Sequence, residues 1–191
     1  MKNLRKWALG LTVMILMSFN WTLSAQTKYI LASSPELKVS GGSTLHDWDM
    51  TSNTAKGEGM FVLEGNQLKS IQNLTVTMEA ETLKSGTKGL DNNAYKALDT
   101  KKNKDVKFTL KEVTGSGSNF QAKGDFTIAG VTKAASFPVK VTQSGNKFTF
   151  EGSYDTKLTQ FSVEPPTALL GTVKTNDEIK ISFKTIFQPT N

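Results

Sequence analysis

The chain has 191 residues, one histidine and no cysteine, which excludes disulfides, thiol nucleophiles, iron–sulfur clusters and cysteine-ligated zinc. Its formal charge of +6 is not the basic stripe that nucleic-acid binding needs, because Lys2, Arg5 and Lys6 supply half of it. A hydrophobic fraction of 37% over this length suits a single domain with a sizeable core.

Those three cations head the apolar run "WALGLTVMILMSF", and a short polar tail ends in Leu23-Ser24-Ala25. That layout is a secretory signal peptide over residues 1–25. The run is shorter than the roughly 20 residues a membrane span needs. Cleavage after Ala25 leaves residues 26–191 as one domain with a charge of +3, in the periplasm or outside the cell. No cysteine follows for lipid attachment.

Beyond that segment the pattern has period two. Weak runs near 36–43, 48–55 and 57–64 come first, and "NLTVTMEA" then places Leu74, Val76, Met78 and Ala80 on one face. "LDNNAYKALDTKKNKD", residues 90–105, breaks the rhythm. There Leu90, Ala94, Tyr95, Ala97 and Leu98 recur at helical spacing, with Asp91 or Asn92 as a cap. The stretch reads as one short helix followed by a lysine-rich loop.

Alternation resumes with Val106, Phe108 and Leu110, then with Phe120, Ala122, Phe126 and Ile128. Ala135, Phe137, Val139 and Val141 follow, then Phe148, Phe150, Gly152 and Tyr154, and last Ile179, Ile181, Phe183 and Phe187. This is the pattern of antiparallel strands with one dry face. "LEGNQ", "GSGSN", "QSGNK" and "KTNDE" read as turns between runs. Pro138, inside a strand pattern, points to an edge, a bulge or an outward-facing amide, and Pro165-Pro166 stops a strand.

Eight or nine such strands make either a sandwich or a closed barrel, and closure leaves no exposed edge. The residues by themselves give an all-β, antiparallel fold of about eight strands with one short helix, and leave sandwich and barrel open. A barrel of that size either fills its interior with side chains or leaves room for one ligand. If hollow, its apolar lining is drawn from Val76, Met78, Tyr95, Leu98, Phe108, Leu110, Phe126, Ile128, Phe137, Val139, Phe148, Phe150, Tyr154, Ile181 and Phe183. If solid, the chain is a structural or interaction protein with no ligand.

"STLHDW", residues 43–48, holds the lone histidine. A catalytic triad needs His46 beside Ser43 or Ser52 and an aspartate, but the adjacent Asp47 points to the opposite face of a strand. No G-x-S-x-G elbow exists, and one histidine with carboxylates makes a poor metal site. His46 is therefore expected in a turn, its ring on nearby backbone or touching a ligand's polar group, and Trp48 in packing at the barrel floor. No enzyme, cofactor or metal is expected. Lys84, Lys88, Lys96, Lys101, Lys102 and Lys104 surround the helix. They read as a solvated face, or as a cationic rim that meets a lipid headgroup and assists peripheral contact with an anionic membrane. The segment they span is expected to form mouth and lid.

"GDFTIAGVTKAASFPVKV", residues 124–141, resembles the signature of the YceI-like family. "YKALDTKKNKDVKFTL" at 95–110, "EPPTALLGTVKTNDEIKISF" at 164–183 and "STLHDW" resemble looser parts of its pattern, while Ala134-Ala135 departs from the proline-containing step often found there. The resemblance implies an antiparallel eight-stranded lipocalin-like barrel over residues 26–191, with one short helix near its mouth, and export to a bacterial periplasm or beyond. Its implied partner is a long-chain isoprenoid (polyisoprenoid) or fatty-acid-type lipid.

Overall fold

A computed structural model describes residues 25–190; the expected signal segment lies outside them apart from Ala25. The strands are β1 (Ala25–Leu31), β2 (Glu36–Ser43), β3 (Trp48–Ser52), β4 (Lys56–Glu64), β5 (Gln67–Glu79) and β6 (Asp105–Ser116). They continue as β7 (Asn119–Ile128), β8 (Val131–Ser144), β9 (Lys147–Lys157), β10 (Thr167–Ala168) and β11 (Val173–Pro189). One helix, α1 (Lys88–Leu98), interrupts them between β5 and β6.

All pairings are antiparallel, and the ladder β1-β4-β5-β6-β7-β8-β9-β11 closes because β11 also pairs with β1, Leu31 opposite Phe187. The result is the predicted eight-stranded barrel. The chain segments outnumber the staves because two staves are broken and the two-residue β10 pairs with β11 outside the closed ladder. β11 meets β1 at its C-terminal end and β2 from Lys184 to Thr175, so β1 and β2 are halves of one bent stave. β3 and β4 likewise pair with β2 and β1 in turn. β3 is joined to the segment after β5 by a bridge between Thr51 and Lys84 and by a 2.7 Å hydroxyl contact between Ser52 and Thr82.

The alternating runs fold as expected because each puts its apolar side chains inward. Outward positions carry cross-strand ion pairs such as Lys28–Glu58 at 2.7 Å and Lys111–Asp125 at 2.6 Å. Alternation switches face where the register shifts, as two bulges illustrate. Asn73, at φ 53°, lies beside a register shift in the β4–β5 ladder, so Ile71 and Leu74 both point inward. A second shift between Leu110 and Glu112 brings Val113 inward. Between β7 and β8 the two-residue turn Ala129-Gly130 has positive φ at both positions, the type I′ geometry that matches strand twist.

Three local expectations change. "KTNDE" is not a turn: it lies inside β11, where the register with β2 shifts between Thr175 and Ile179. Asp177 there accepts from the Thr159 amide at 2.8 Å and its hydroxyl at 2.7 Å, so its polarity serves the neighbouring loop. α1 begins earlier than its apolar spacing suggested, with Thr87 at the cap and Asp91 inside the first turn. β1 was not expected at all. At Pro138 the β8–β9 ladder stops, Val139 being its last paired residue, as a residue without an amide proton requires.

Candidate functional site: an apolar tunnel

One aromatic group fills part of the interior. Under β1, β4, β9 and β11, Tyr29 stacks on Phe61 with ring centres 4.3 Å apart. Phe148 and Phe187 pack against Phe61 at 5.8 and 5.6 Å. Tyr29, Phe61, Phe148 and Phe187 are fully buried, and burial raises the Tyr29 phenol above its ordinary value. This end is solid.

The rest is hollow. A cavity of about 530 Å³ runs from α1 and the β2–β3 turn down to Leu68, Val113 and Phe120 at the far end. Its wall on β11 extends from Val173 to Phe187. At about 3.4 Å per residue that stretch covers on the order of 45 Å of strand before barrel tilt is allowed for. With strands tilted by about 35–45°, that is roughly 35 Å along the barrel, so the volume is drawn out into a narrow tunnel and not a bowl.

Phenylalanine-rich walls stay clear of the lumen because three rings lie over glycines. A Cβ on Gly41 would sit 2.4 Å from the Trp48 ring, one on Gly124 2.6 Å from Phe108, and one on Gly152 2.7 Å from Phe183. Each ring lies against a neighbouring strand where a side chain is missing, an arrangement known to rescue glycine in sheets. Trp48 is further held by its indole N–H, which donates to the Gly42 carbonyl at 3.1 Å. It is therefore a wall residue near the mouth, not the floor packing expected, because the β2–β3 turn lies at the mouth.

Of the proposed lining, Val76, Met78, Leu98, Phe108, Leu110, Phe126, Ile128, Phe137, Phe150, Ile181 and Phe183 border the tunnel. Tyr95, Val139, Phe148 and Tyr154 do not. Phe148 belongs to the solid end, and Tyr154 stacks behind Phe126 at 5.6 Å. Leu37, Val39, Met50, Leu158 and Val163 border it without having been expected. So does Thr185, 5% exposed, the one buried polar side chain on that wall among the described residues.

His46 also borders the tunnel. It is exposed in the β2–β3 turn, with Nδ1 2.7 Å from the Asp47 carbonyl oxygen, so Nδ1 carries the proton and donates it. The Ser43 hydroxyl donates to the His46 carbonyl at 2.7 Å, not to the ring. Among the described residues no three His, Asp or Glu side chains are placed to share a metal ion.

Lys84, Lys88 and Lys96 lie outside the tunnel wall. Lys84 donates to the Tyr95 hydroxyl at 2.7 Å, which raises its ammonium above the ordinary value, and lies 4.9 Å from that ring's centre. Tyr95 in turn donates to the Leu83 carbonyl at 2.6 Å. Asp91 accepts from the Ser85 hydroxyl and amide, both at 2.7 Å, and Thr100 donates to Glu81 at 2.7 Å. The helix is thus tied along its length to residues 81–85.

The Ser85 hydroxyl, with its amide, holds the Asp91 carboxyl below the ordinary range. A lowered folded value means that the tie is complete above the ordinary carboxylate range and is lost as pH falls through the lowered one. Asp91→Asn should speed hydrogen exchange of the Ser85 amide and of the first turn of α1 at neutral pH. The acid-induced loosening seen in the parent should be absent from the variant.

Around the mouth, the Leu169–Gly171 turn carries φ values of 48°, 55° and 88°. The left-handed region costs a non-glycine residue about 1–2 kcal/mol, and Leu169 and Leu170 both occupy it.

The family model for the YceI-like domain matches residues 21–187. The chain belongs to the YceI-like family. No curated protein matches it by sequence. Among solved structures, this YceI-like chain is similar to BcnA of Burkholderia cenocepacia, with 19% identity, 80% of this chain and 95% of that one covered, and a TM-score of 0.66. A polyisoprenoid binding domain from Saccharophagus degradans, implicated in plant cell wall breakdown, aligns at 10% identity over 85% and 98% of the chains, with a TM-score of 0.65. The YceI protein of Campylobacter jejuni aligns at 18% identity over 73% and 83%, with a TM-score of 0.60. At these identities the likeness is one of fold.

Proposed function

We propose that this YceI-like protein is an exported, non-catalytic binding protein that holds one long apolar chain, of isoprenoid or fatty-acid type, in the barrel. The narrow apolar tunnel carries this reading. Its volume lies within the roughly 300–1,000 Å³ of ordinary ligand sites, and its length suits a chain better than a compact molecule. The Saccharophagus degradans neighbour, described as polyisoprenoid-binding, lends support. So does the apolar run that precedes Ala25, for export.

Each buried methylene contributes about 0.8 kcal/mol, so about fifteen carbons give on the order of 12 kcal/mol gross. Association and ordering remove roughly 4–15 kcal/mol. Only long chains therefore retain useful affinity, and selectivity follows length and shape. Thr185 is the exception on the wall, a hydroxyl suited to an oxygen-bearing group on the ligand. Lys88, Lys96 and His46, exposed near the mouth, are available to a headgroup.

Mass spectrometry of gently purified protein should reveal a co-purifying lipid. Delipidated protein should then take up linear chains with affinity rising by chain length, while compact molecules of equal carbon number bind weakly. Failure to take up any chain longer than about twelve carbons, about 10 kcal/mol of gross burial, sinks the proposal.

A further inference from the structure

The large exposed hydrophobic side chains are unevenly placed. Leu45 is 66% exposed, Leu169 71% and Leu170 108%, and all three lie at the mouth; Ile186, at 39%, is the other among the described residues. They come from two turns distant in sequence that are bonded together. The Thr44 amide donates to the Lys174 carbonyl at 2.9 Å, and the Lys174 amide donates to the Thr44 hydroxyl at 3.1 Å. The leucine turn is closed by the Thr172 amide on the Leu169 carbonyl at 3.2 Å. Leu45 and Leu169 also border the tunnel. Apolar surface is therefore continuous from the lumen, over the lip, to the outside.

Scattered exposed leucines need no explanation, but a cluster on the rim of an apolar cavity does. Beside it, residues 84–104 hold six lysines and two aspartates. Of those lysines, Lys88, Lys96, Lys101 and Lys104 make no ion pair among the described residues. Apolar tips beside free cations are what an anionic lipid surface meets favourably, the tips entering the acyl boundary and the cations the headgroups.

We infer that Leu45, Leu169 and Leu170 form a lip that docks on an anionic bilayer, so that a lipid passes between membrane and tunnel without crossing water. This rests on the reading of the tunnel as a lipid site, and the test separates the two. The full chain and its Leu170→Ser variant, changed at the lip leucine that does not border the tunnel, are floated, without cargo, with phosphatidylcholine vesicles and with vesicles containing phosphatidylglycerol. Uptake of a fluorescent long-chain lipid is then followed from those vesicles and from a cyclodextrin complex.

The parent should float with the anionic vesicles, and the variant's partitioning should fall about tenfold or more, since binding scales with buried apolar area. Transfer from vesicles should slow in proportion, while uptake from cyclodextrin stays unchanged. Equal flotation of parent and variant overturns the lip, as does a parent that ignores anionic vesicles. A parent that self-associates through these leucines, with no vesicle effect, also overturns it and assigns the lip to a second copy of the chain. A parent that floats but takes nothing from cyclodextrin leaves the lip standing and removes the tunnel's cargo.

Discussion

Replacing Gly41 with valine is expected to close the tunnel while leaving the barrel folded. Gly41 stands directly opposite Trp48 across the β2–β3 ladder, and the three atoms nearest to a Cβ built there all belong to the indole, at 2.4, 2.9 and 3.0 Å. No backbone atom is among those three, unlike at Gly124, where the Thr109 carbonyl oxygen is the nearest atom at 2.4 Å. A side chain at residue 41 therefore displaces the ring, and the lumen is the open direction. An indole tipped inward takes the place of about four ligand methylenes, about 3 kcal/mol. That corresponds to about a hundredfold in Kd. Equilibrium uptake of a long-chain fluorophore should fall by this factor, with far-ultraviolet dichroism unchanged. Removing the ring as well, in Gly41→Val/Trp48→Ala, should restore uptake, because neighbours sharing a space couple non-additively. Equal losses in the single and double variants would mean that the valine acts through the strand and not through the ring.

Why the interior is hollow could not have been read from the string of residues. Alternation announced the strands that carry Phe108, Phe126, Phe137, Phe150 and Phe183, because burial on one face imposes period two whatever lies opposite. Whether those rings fill the barrel depends on what each meets across the ladder. Gly152 opposite Phe183, and Gly41 opposite Trp48, are facts of register. Register is settled only once strands distant in sequence pair. The same holds for the mouth, which joins α1, the Leu45 turn and the Leu169 turn from three remote parts of the chain. β1 escaped notice because "AQTKYIL" adjoins the expected cleavage site and has only one wholly buried ring, Tyr29. Thr185 occupies an inward position between Phe183 and Phe187, but polarity hid it from a pattern scored on apolar residues.

Phe61→Ala should be among the most destabilising single substitutions in the barrel. The ring has no exposed surface and contacts four others: stacked on Tyr29, tilted against Phe148 and Phe187, and edge-on to Phe150 at 5.8 Å. Truncating a buried phenylalanine costs about 3–5 kcal/mol, the larger figure where surroundings cannot collapse. Collapse is hindered here because Tyr29, Phe148 and Phe187 are themselves buried on three different strands. At about 2–4 °C per kcal/mol for a chain of this size, the melting temperature should fall by roughly 6–20 °C. Phe150 and Phe187 also border the tunnel, so the vacated space lies directly behind its wall. A long chain that reaches this depth can press both rings back into the void, whereas a short one cannot. The variant should therefore regain more of its melting temperature with long-chain than with short-chain ligand, by the linkage between occupancy and stability. Equal recovery with both would place the tunnel's working depth above Phe150.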